Sequence, residues 1–150
     1  MNATDLTVIN KFFYEQTDST NIRAKEFACS KKNENPQEEK NLLPIKAIFV
    51  ANSQTAGKGR LGRSFFSPKD CGIYLSIIFE TDFLEYENDV TLITPKVAVS
   101  VCKTLEKFES QNCKIKWVND IFIQDKKICG ILTEGILSTS QKGQINPAII

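Results

Sequence analysis

Apolar residues recur along this chain with two different periods, and the places where the period changes mark its elements. Residues 8–16, Val-Ile-Asn-Lys-Phe-Phe-Tyr-Glu-Gln, are rich in β-formers and predict a strand. Ile22, Ala24, Phe27 and Ala28 suit a helix of about three turns, opened by Asp18, Ser19, Thr20 and Asn21. On that stretch alone, capping is the simpler role for the three polar residues before Ile22. Apolar runs at 45–51 and 72–79 predict two more strands. Val90, Ile93, Val97, Val101, Leu105 and Phe108 have the spacing of an amphipathic helix that packs across a sheet. Pro95 is tolerated only in a first turn, which puts the regular start of that helix near Thr94. Residues 113–117 read as a short strand that turns sharply. Residues 121–124 and 127–133 read as strands joined by a tight hairpin at Asp125-Lys126. Gly130 inside the second marks a bulge or a close backbone approach. The polar stretch 31–43 and the acidic stretch 81–89 read as solvated connections, and 147–150 as the opening of a strand that the chain does not finish. Internal repeats are absent.

Composition narrows the class. A chain of 150 residues, 41% hydrophobic and 25% charged, fits one ordinary globular domain. A net charge of +1 gives no bulk argument for nucleic acid, so any basic site must be local. Neither a signal peptide nor a run long enough to span a membrane is evident, and the expected compartment is cytoplasmic. The five cysteines are odd in number and widely spaced, which predicts reduced, mostly buried thiols and neither zinc nor a disulfide framework. Histidine is absent. That removes Ser-His-Asp and Cys-His catalysis and any histidine-ligated metal.

Candidate chemistry concentrates at residues 54–63, Gln-Thr-Ala-Gly-Lys-Gly-Arg-Leu-Gly-Arg. Three glycines alternate there with Lys58, Arg60 and Arg63. Glycine amides and neighbouring cations suit a phosphate or a carboxylate, and anion binding is favoured over a solvated basic turn. Gly57, Gly59 and Gly62 also fit the dinucleotide pattern G-x-G-x-x-G, with Glu80 near the offset of its acid. That pattern needs a helix directly after the glycines. Here Pro68 and Gly72 interrupt the ten residues before the next strand, too few for a parallel crossover, so the dinucleotide reading fails. Phe65 and Phe66 read first as core anchors, with a lid over a ligand as the second possibility. A second constellation, Lys116-Trp117-Val118-Asn119-Asp120, puts a cation at a strand end and two turn-forming residues after it. Each has an ordinary reading, solvent face or turn, until Lys127 is added three residues before Gly130.

Taken together these residues resemble the catalytic domain of biotin protein ligases. The family's Ser-Thr-Asn at the first helix is matched by Ser19-Thr20-Asn21. Its Gln-x-Ala-Gly-Arg-Gly-Arg-x-Gly-Arg-x-Trp loop is matched by residues 54–65, its Lys-Trp-Pro-Asn-Asp by 116–120, and its Lys-x-x-Gly-Ile-Leu by 127–132. The four blocks fall in order over about residues 12–135. Lys58 replaces the usual arginine, Phe65 the tryptophan and Val118 the proline; the first keeps the charge without the bidentate fork.

The resemblance implies an α+β fold of the class II aminoacyl-tRNA synthetase/biotin ligase type, with a mixed, largely antiparallel sheet and helices packed on one side. It implies that 1–150 is an incomplete catalytic domain, without an N-terminal winged helix or a C-terminal β-domain, and leaves the activity of a chain of this length open. ATP and biotin would be substrates with Mg²⁺ alongside, and the partner a biotin carboxyl carrier domain rather than DNA or a membrane; the oligomeric state stays open. Lys116 and Arg60 would be catalytic. Ser19, Thr20, Asn21, Gln54, Lys58 and Gly59, with Arg60 and Lys116, would bind biotin. Arg60, Arg63, Phe65, Asn119 and Lys127 would bind the nucleotide, and no residue is assigned to a metal. The glycine-rich loop, residues 55–66, would fold over the adenylate on binding. A lipoate ligase is a weaker reading, because the chain lacks that family's Arg-Arg-x-x-Gly-Gly-Gly block and its histidine. Two further readings stay open: a non-catalytic biotin- or adenylate-binding module, and a self-pairing fragment with exposed sheet edges.

Overall fold

The computed structural model describes residues 9–30, 45–80, 92–108, 112–139 and 145–149, and within them the strands divide between two sheets. In chain order the elements are β1 (Asn10–Tyr14), α1 (Thr20–Cys29), β2 (Ile45–Ala51), a 3₁₀ turn (Arg60–Gly62), β3 (Tyr74–Glu80) and α2 (Ile93–Leu105). There follow β4 (Lys114–Lys116), β5 (Asp120–Ile123), β6 (Lys126–Gly130), β7 (Gly135–Thr139) and β8 (Ile145–Ile149). The larger sheet has the order β1-β2-β3-β8-β7 and the smaller β4-β5-β6. Among these strands only the β1–β2 pairing is parallel, as α1 between them allows. The mixed, largely antiparallel character is as expected. Residues 31–43, residues 81–89 and Val90 lie outside the described residues.

Alternation in β2 and β3 decides which way the large sheet faces. Ala47, Phe49 and Ala51, with Tyr74, Ser76 and Ile78, point inward and are buried. Helix α1 lies on that face through Ala24, Phe27 and Ala28, whose spacing makes a single stripe. Phe12, Phe27 and Phe49 form a three-ring cluster with centroids 4.8–5.7 Å apart. Each such pair adds about 0.5–1.5 kcal/mol beyond its burial. The opposite face is apolar too: Phe13, Val50 and Leu75 are in register, and Phe13 and Leu75 are exposed.

Helix α2 packs on the small sheet, against β4 and β5, with Ala98 and Cys102 buried on one side. Pro95 is its third residue, inside the first turn. Phe108 lies past its end and is exposed, because the helix stops at Leu105 before the apolar stripe returns.

Three local expectations need correction. The β5–β6 turn centres on Gln124 and Asp125, both at positive φ, and not on Asp125-Lys126. Two successive left-handed residues match the strands' twist, and that requirement sets the position. β6 ends at Gly130 rather than Thr133, and β7, a strand with no clear pattern of its own, follows after four residues. The thiols are not mostly buried: Cys29 and Cys71 are exposed, Cys113 and Cys129 half-buried, and only Cys102 is buried. Burial, together with the neighbouring Cys113, pushes the Cys102 thiol up to about 11.

Candidate active site

The start of α1 and the end of β2 are tied by polar side chains. Gln54 follows β2, and its Oε1 accepts from the Thr20 backbone N–H (2.8 Å) and lies 3.2 Å from the Thr20 hydroxyl. Its Nε2 donates to Ser67 Oγ at 3.0 Å. The buried Ser76 hydroxyl sits 2.8 Å from Thr20 Oγ1 and also reaches Asn21 Oδ1. On its other side Asn21 donates through Nδ2 to Glu134 Oε2 (2.9 Å), while Lys25 Nζ meets Glu134 Oε1 at 2.6 Å. Burial would raise the Glu134 carboxyl, but the Asn21 and Lys25 hydrogen bonds and the Lys25 and Lys58 charges hold it below its usual range. Ser19 occupies the N-cap yet makes no side-chain cap bond. Instead Asp18 accepts from the Ser19 N–H at 2.6 Å and pairs with Arg23, so the simple capping reading of the three residues is wrong. Burial tends to raise the Asp18 carboxyl, and the Ser19 N–H, Thr17 and Arg23 overcome it.

The glycine-cation loop is a small irregular hairpin. Phe65 N–H donates to Gly57 O (2.8 Å) and Gly59 N–H to Arg63 O (2.7 Å), with Lys58 and Ser64 bridged between them. Gly57 has no room for a side chain: a Cβ there would lie 2.3 Å from Phe65 O. Leu61 and Gly62 turn the tip, both at positive φ. No helix follows, and β3 runs antiparallel to β2, which closes the dinucleotide reading on topology as well.

This loop meets the small sheet. Arg60 Nη1 donates to Asn119 Oδ1 at 3.0 Å. Lys116, Asp120 and Gly130 are in register across β4, β5 and β6. Asp120 accepts from Asn119 Nδ2 and Lys127 Nζ, each at 2.8 Å. Lys127 Nζ also lies 5.9 Å from the Phe65 ring centroid, and the ring edge is within 3.4 Å of where a Gly130 Cβ would stand. A Cβ at Gly130 would come within 3.2 Å of the flexible end of Lys127 and into ordinary contact with Phe65, and the ladder's irregularity falls one step away, between Ile121 and Phe122. Phe65 and Phe66 are not core anchors, being 37% and 87% exposed. Between the loop and α1 lies a cleft of about 330 Å³, lined by Asn21, Lys58, Gly59, Leu132 and Glu134 among others.

Residues 14–147 match the profile of the Biotin/lipoate A/B protein ligase family. The chain belongs to that family. Over 95 residues it is 39% identical to the bifunctional ligase/repressor BirA of Bacillus subtilis (strain 168), covering 63% of this chain and 28% of that protein. Over 97 residues it is 33% identical to BirA of Escherichia coli (strain K12), covering 64% and 29%. In structure it is similar to the biotin protein ligase from Aquifex aeolicus in complex with biotin and ATP, with TM-score 0.56 and 28% identity. That match covers 93% of this chain and 50% of the Aquifex chain, so this chain spans about half or less of the relatives it matches. The fold is the class II synthetase-like fold of biotin protein ligases.

Within this biotin/lipoate ligase fold the expected residues form two groups. Thr20, Asn21 and Gln54 share the network at α1, Ser19 is buried beside them with its N–H on Asp18, and of the four Asn21 lines the cleft with Lys58 and Gly59. Arg60, Phe65, Asn119 and Lys127 gather at the small sheet. Lys116 is exposed, with Nζ 5.8 Å from the Phe122 ring centroid, and belongs to the second group by register rather than by contact. Arg63 is exposed and engages the loop through its backbone. Ser76 and Glu134 escaped the sequence reading. Ser76 did leave a signal, a hydroxyl at an inward position of an apolar strand; Glu134, between Thr133 and Gly135, left none. Among the described residues no group of three or more His, Cys, Asp or Glu could hold a metal ion, and Asp120 is engaged by Asn119 and Lys127. The side chains here do not build a site for Mg²⁺.

Proposed function

We propose that this chain carries the adenylating centre of a biotin–protein ligase, and that the whole protein joins biotin to a lysine of a biotin carboxyl carrier domain. The observation that carries the reading is the Arg60–Asn119 hydrogen bond, which joins two sequence blocks 59 residues apart beside one cleft. Arg60 stands between Gly59 and Leu61, both lining that cleft. Cations converging from a glycine-rich loop and a strand end suit a site that must hold a carboxylate and a phosphate together.

The chemistry asks the protein for position and charge. An oxygen of the biotin carboxylate attacks the α-phosphorus of ATP, the bond from that phosphorus to the bridging oxygen breaks, and pyrophosphate leaves. The product is biotinyl-5′-AMP. The acceptor lysine amine then attacks the anhydride carbonyl, loses a proton and expels AMP. Neither step needs an enzyme nucleophile, in keeping with a chain that has no histidine. In this scheme Ser19, Thr20, Asn21 and Gln54, with Lys58 and Gly59, receive biotin. Arg60 and Lys116 stabilise charge between carboxylate and α-phosphate, and Arg63, Phe65, Asn119 and Lys127 hold the nucleotide. Closure of residues 55–66 over the adenylate excludes water. The reaction belongs in the cytoplasm, where ATP and carrier domains meet.

The test is transfer of labelled biotin to a carboxyl-carrier domain with ATP, with lipoate as competitor. ATP-dependent labelling of the carrier lysine supports the ligase. Binding of biotin without turnover makes the chain a binding module, and preferential transfer of lipoate moves it to the other branch of the family. A rise in melting temperature with biotin plus Mg-ATP larger than with either alone is the quicker companion measurement.

A further inference from the structure

Glu134 occupies a position that none of the expected roles explains. It lies in the short connection between β6 and β7, and its carboxylate is 28% exposed at the wall of the cleft. Both oxygens are taken from one face of α1: Oε2 by Asn21 Nδ2 at 2.9 Å and Oε1 by Lys25 Nζ at 2.6 Å. Asn21 and Lys25 are four apart, neighbours on a helix surface.

An ionised carboxylate only accepts hydrogen bonds, whereas a side-chain amide has one donating end and one accepting end. Facing Glu134, Asn21 must turn its NH₂ outward and its Oδ1 toward Ser76, whose hydroxyl is hydrogen-bonded to it. Ser76 has one hydrogen. Once that is given to Asn21, only lone pairs face Thr20, 2.8 Å away. The single Thr20 hydroxyl hydrogen then turns to Ser76, while Gln54 Oε1 stays on the Thr20 backbone N–H at 2.8 Å and Gln54 presents Nε2 to Ser67. One half-buried charge thus sets the direction of a chain of three neutral side chains, Asn21, Ser76 and Thr20, while the Thr20 backbone N–H fixes Gln54 independently. If a neutral amide replaced it, either end of the new side chain could face Asn21, and both orientations of the network would be allowed.

We propose that Glu134 is a positioning residue: its carboxylate sets the orientation of the Asn21 amide and, through Ser76, the donor–acceptor pattern offered to a cyclic-urea headgroup. This rests on the biotin reading above, since a cyclic urea presents two N–H donors and one carbonyl acceptor in a fixed arrangement. A network pointing the wrong way leaves such groups unpaired, the circumstance in which polar recognition discriminates most strongly.

The experiment is calorimetric titration of the full chain with biotin alone, for the unmodified protein, Glu134→Gln, Asn21→Ala, the double variant and Lys25→Met. Glu134→Gln is expected to weaken biotin about tenfold. In the Asn21→Ala background the same change should alter affinity less than about twofold, because its route to the ligand is gone. Lys25→Met should leave affinity within about threefold, separating orientation from the surface ion pair. Equal affinity of Glu134→Gln and the unmodified protein, or losses that multiply in the double variant, overturns the inference and leaves the biotin reading intact. A folded, unmodified protein that does not bind biotin overturns both. Should Glu134→Gln not fold, the Asn21 side-chain NH₂ resonances of the unmodified protein decide: slow exchange with water supports the assignment, and free exchange overturns it.

Discussion

On the α1 side of the cleft, Thr20, Asn21, Gln54, Ser67 and Ser76 are all bonded to one another or to Glu134. On the loop and small-sheet side Lys58, Arg60, Lys116 and Lys127 are exposed; Arg60 has one hydrogen bond, to Asn119, Lys127 one ion pair, to Asp120, and Lys116 only a long approach to a ring. The two walls suit different tasks. Neutral groups recognise a neutral headgroup only if their directions are settled beforehand, because each bond is worth little net and a misdirected one is costly. Cations that wait in water are cheap to keep and gain strength when an anion arrives and solvent leaves. The rigid wall should therefore govern stability and selection, and the open wall the reaction rate.

Substitutions on each wall can break that division. Lys116→Ala has the largest expected effect, slowing biotin-dependent pyrophosphate exchange by about 10²–10³-fold, or about 3 kcal/mol. Its unfolding midpoint should stay within about 0.5 kcal/mol of the parent, as for an exposed side chain. Unchanged exchange in that variant removes Lys116 from the mechanism. Gln54→Ala strikes the other wall. It strands the Thr20 N–H and removes the bond to Ser67, and should take about 1–3 kcal/mol from folding stability in urea titration. A Gln54→Ala protein as stable as the parent, with only its rate lowered, would invert the comparison.

Gly57→Ala tests the seam between the walls. Its methyl group would press on Phe65 O, and such overpacking costs about 1–3 kcal/mol where the backbone cannot retreat. A hairpin this short can shift instead, so the lower end is expected, together with loss of loop protection in hydrogen exchange across residues 57–65. Protection identical to the parent's would show that the close approach is not needed.

The smallest effect is that of pH. The folded-state pKa of Glu134 lies below its ordinary value, so its contribution to stability is present at neutral pH. That contribution should fade as pH falls through the depressed value, while Glu134→Gln shows a flatter acid limb. Parallel acid limbs for the two proteins would mean that the carboxylate adds nothing to the rigid wall.

Much of this was legible in residue order. The strand at 45–51, the helix after Asn21 and the Pro95 first turn follow from spacing and backbone restriction, which act within a few residues. Phe65 and Phe66 misled because aromatic residues beside a strand are usually buried. Whether they are depends on where the loop lands, and here it carries Phe65 to Lys127 and Gly130 at the small sheet rather than to the core. The Asp125-Lys126 turn was placed one residue late because the register that demands two left-handed residues is a property of the paired strands.

By itself the sequence determined most of the elements, though not β7, together with the four motif blocks and the family, because each depends on neighbours along the chain. Only the tertiary structure decided that Arg60 reaches Asn119, that Phe65 lies beside Lys127, and that Ser76 and Glu134 are bonded to Asn21. Asn21 and Glu134 are 113 residues apart and Asn21 and Ser76 are 55 apart. No local period reaches that far, so such pairs exist only once helix, sheet and connection are packed together.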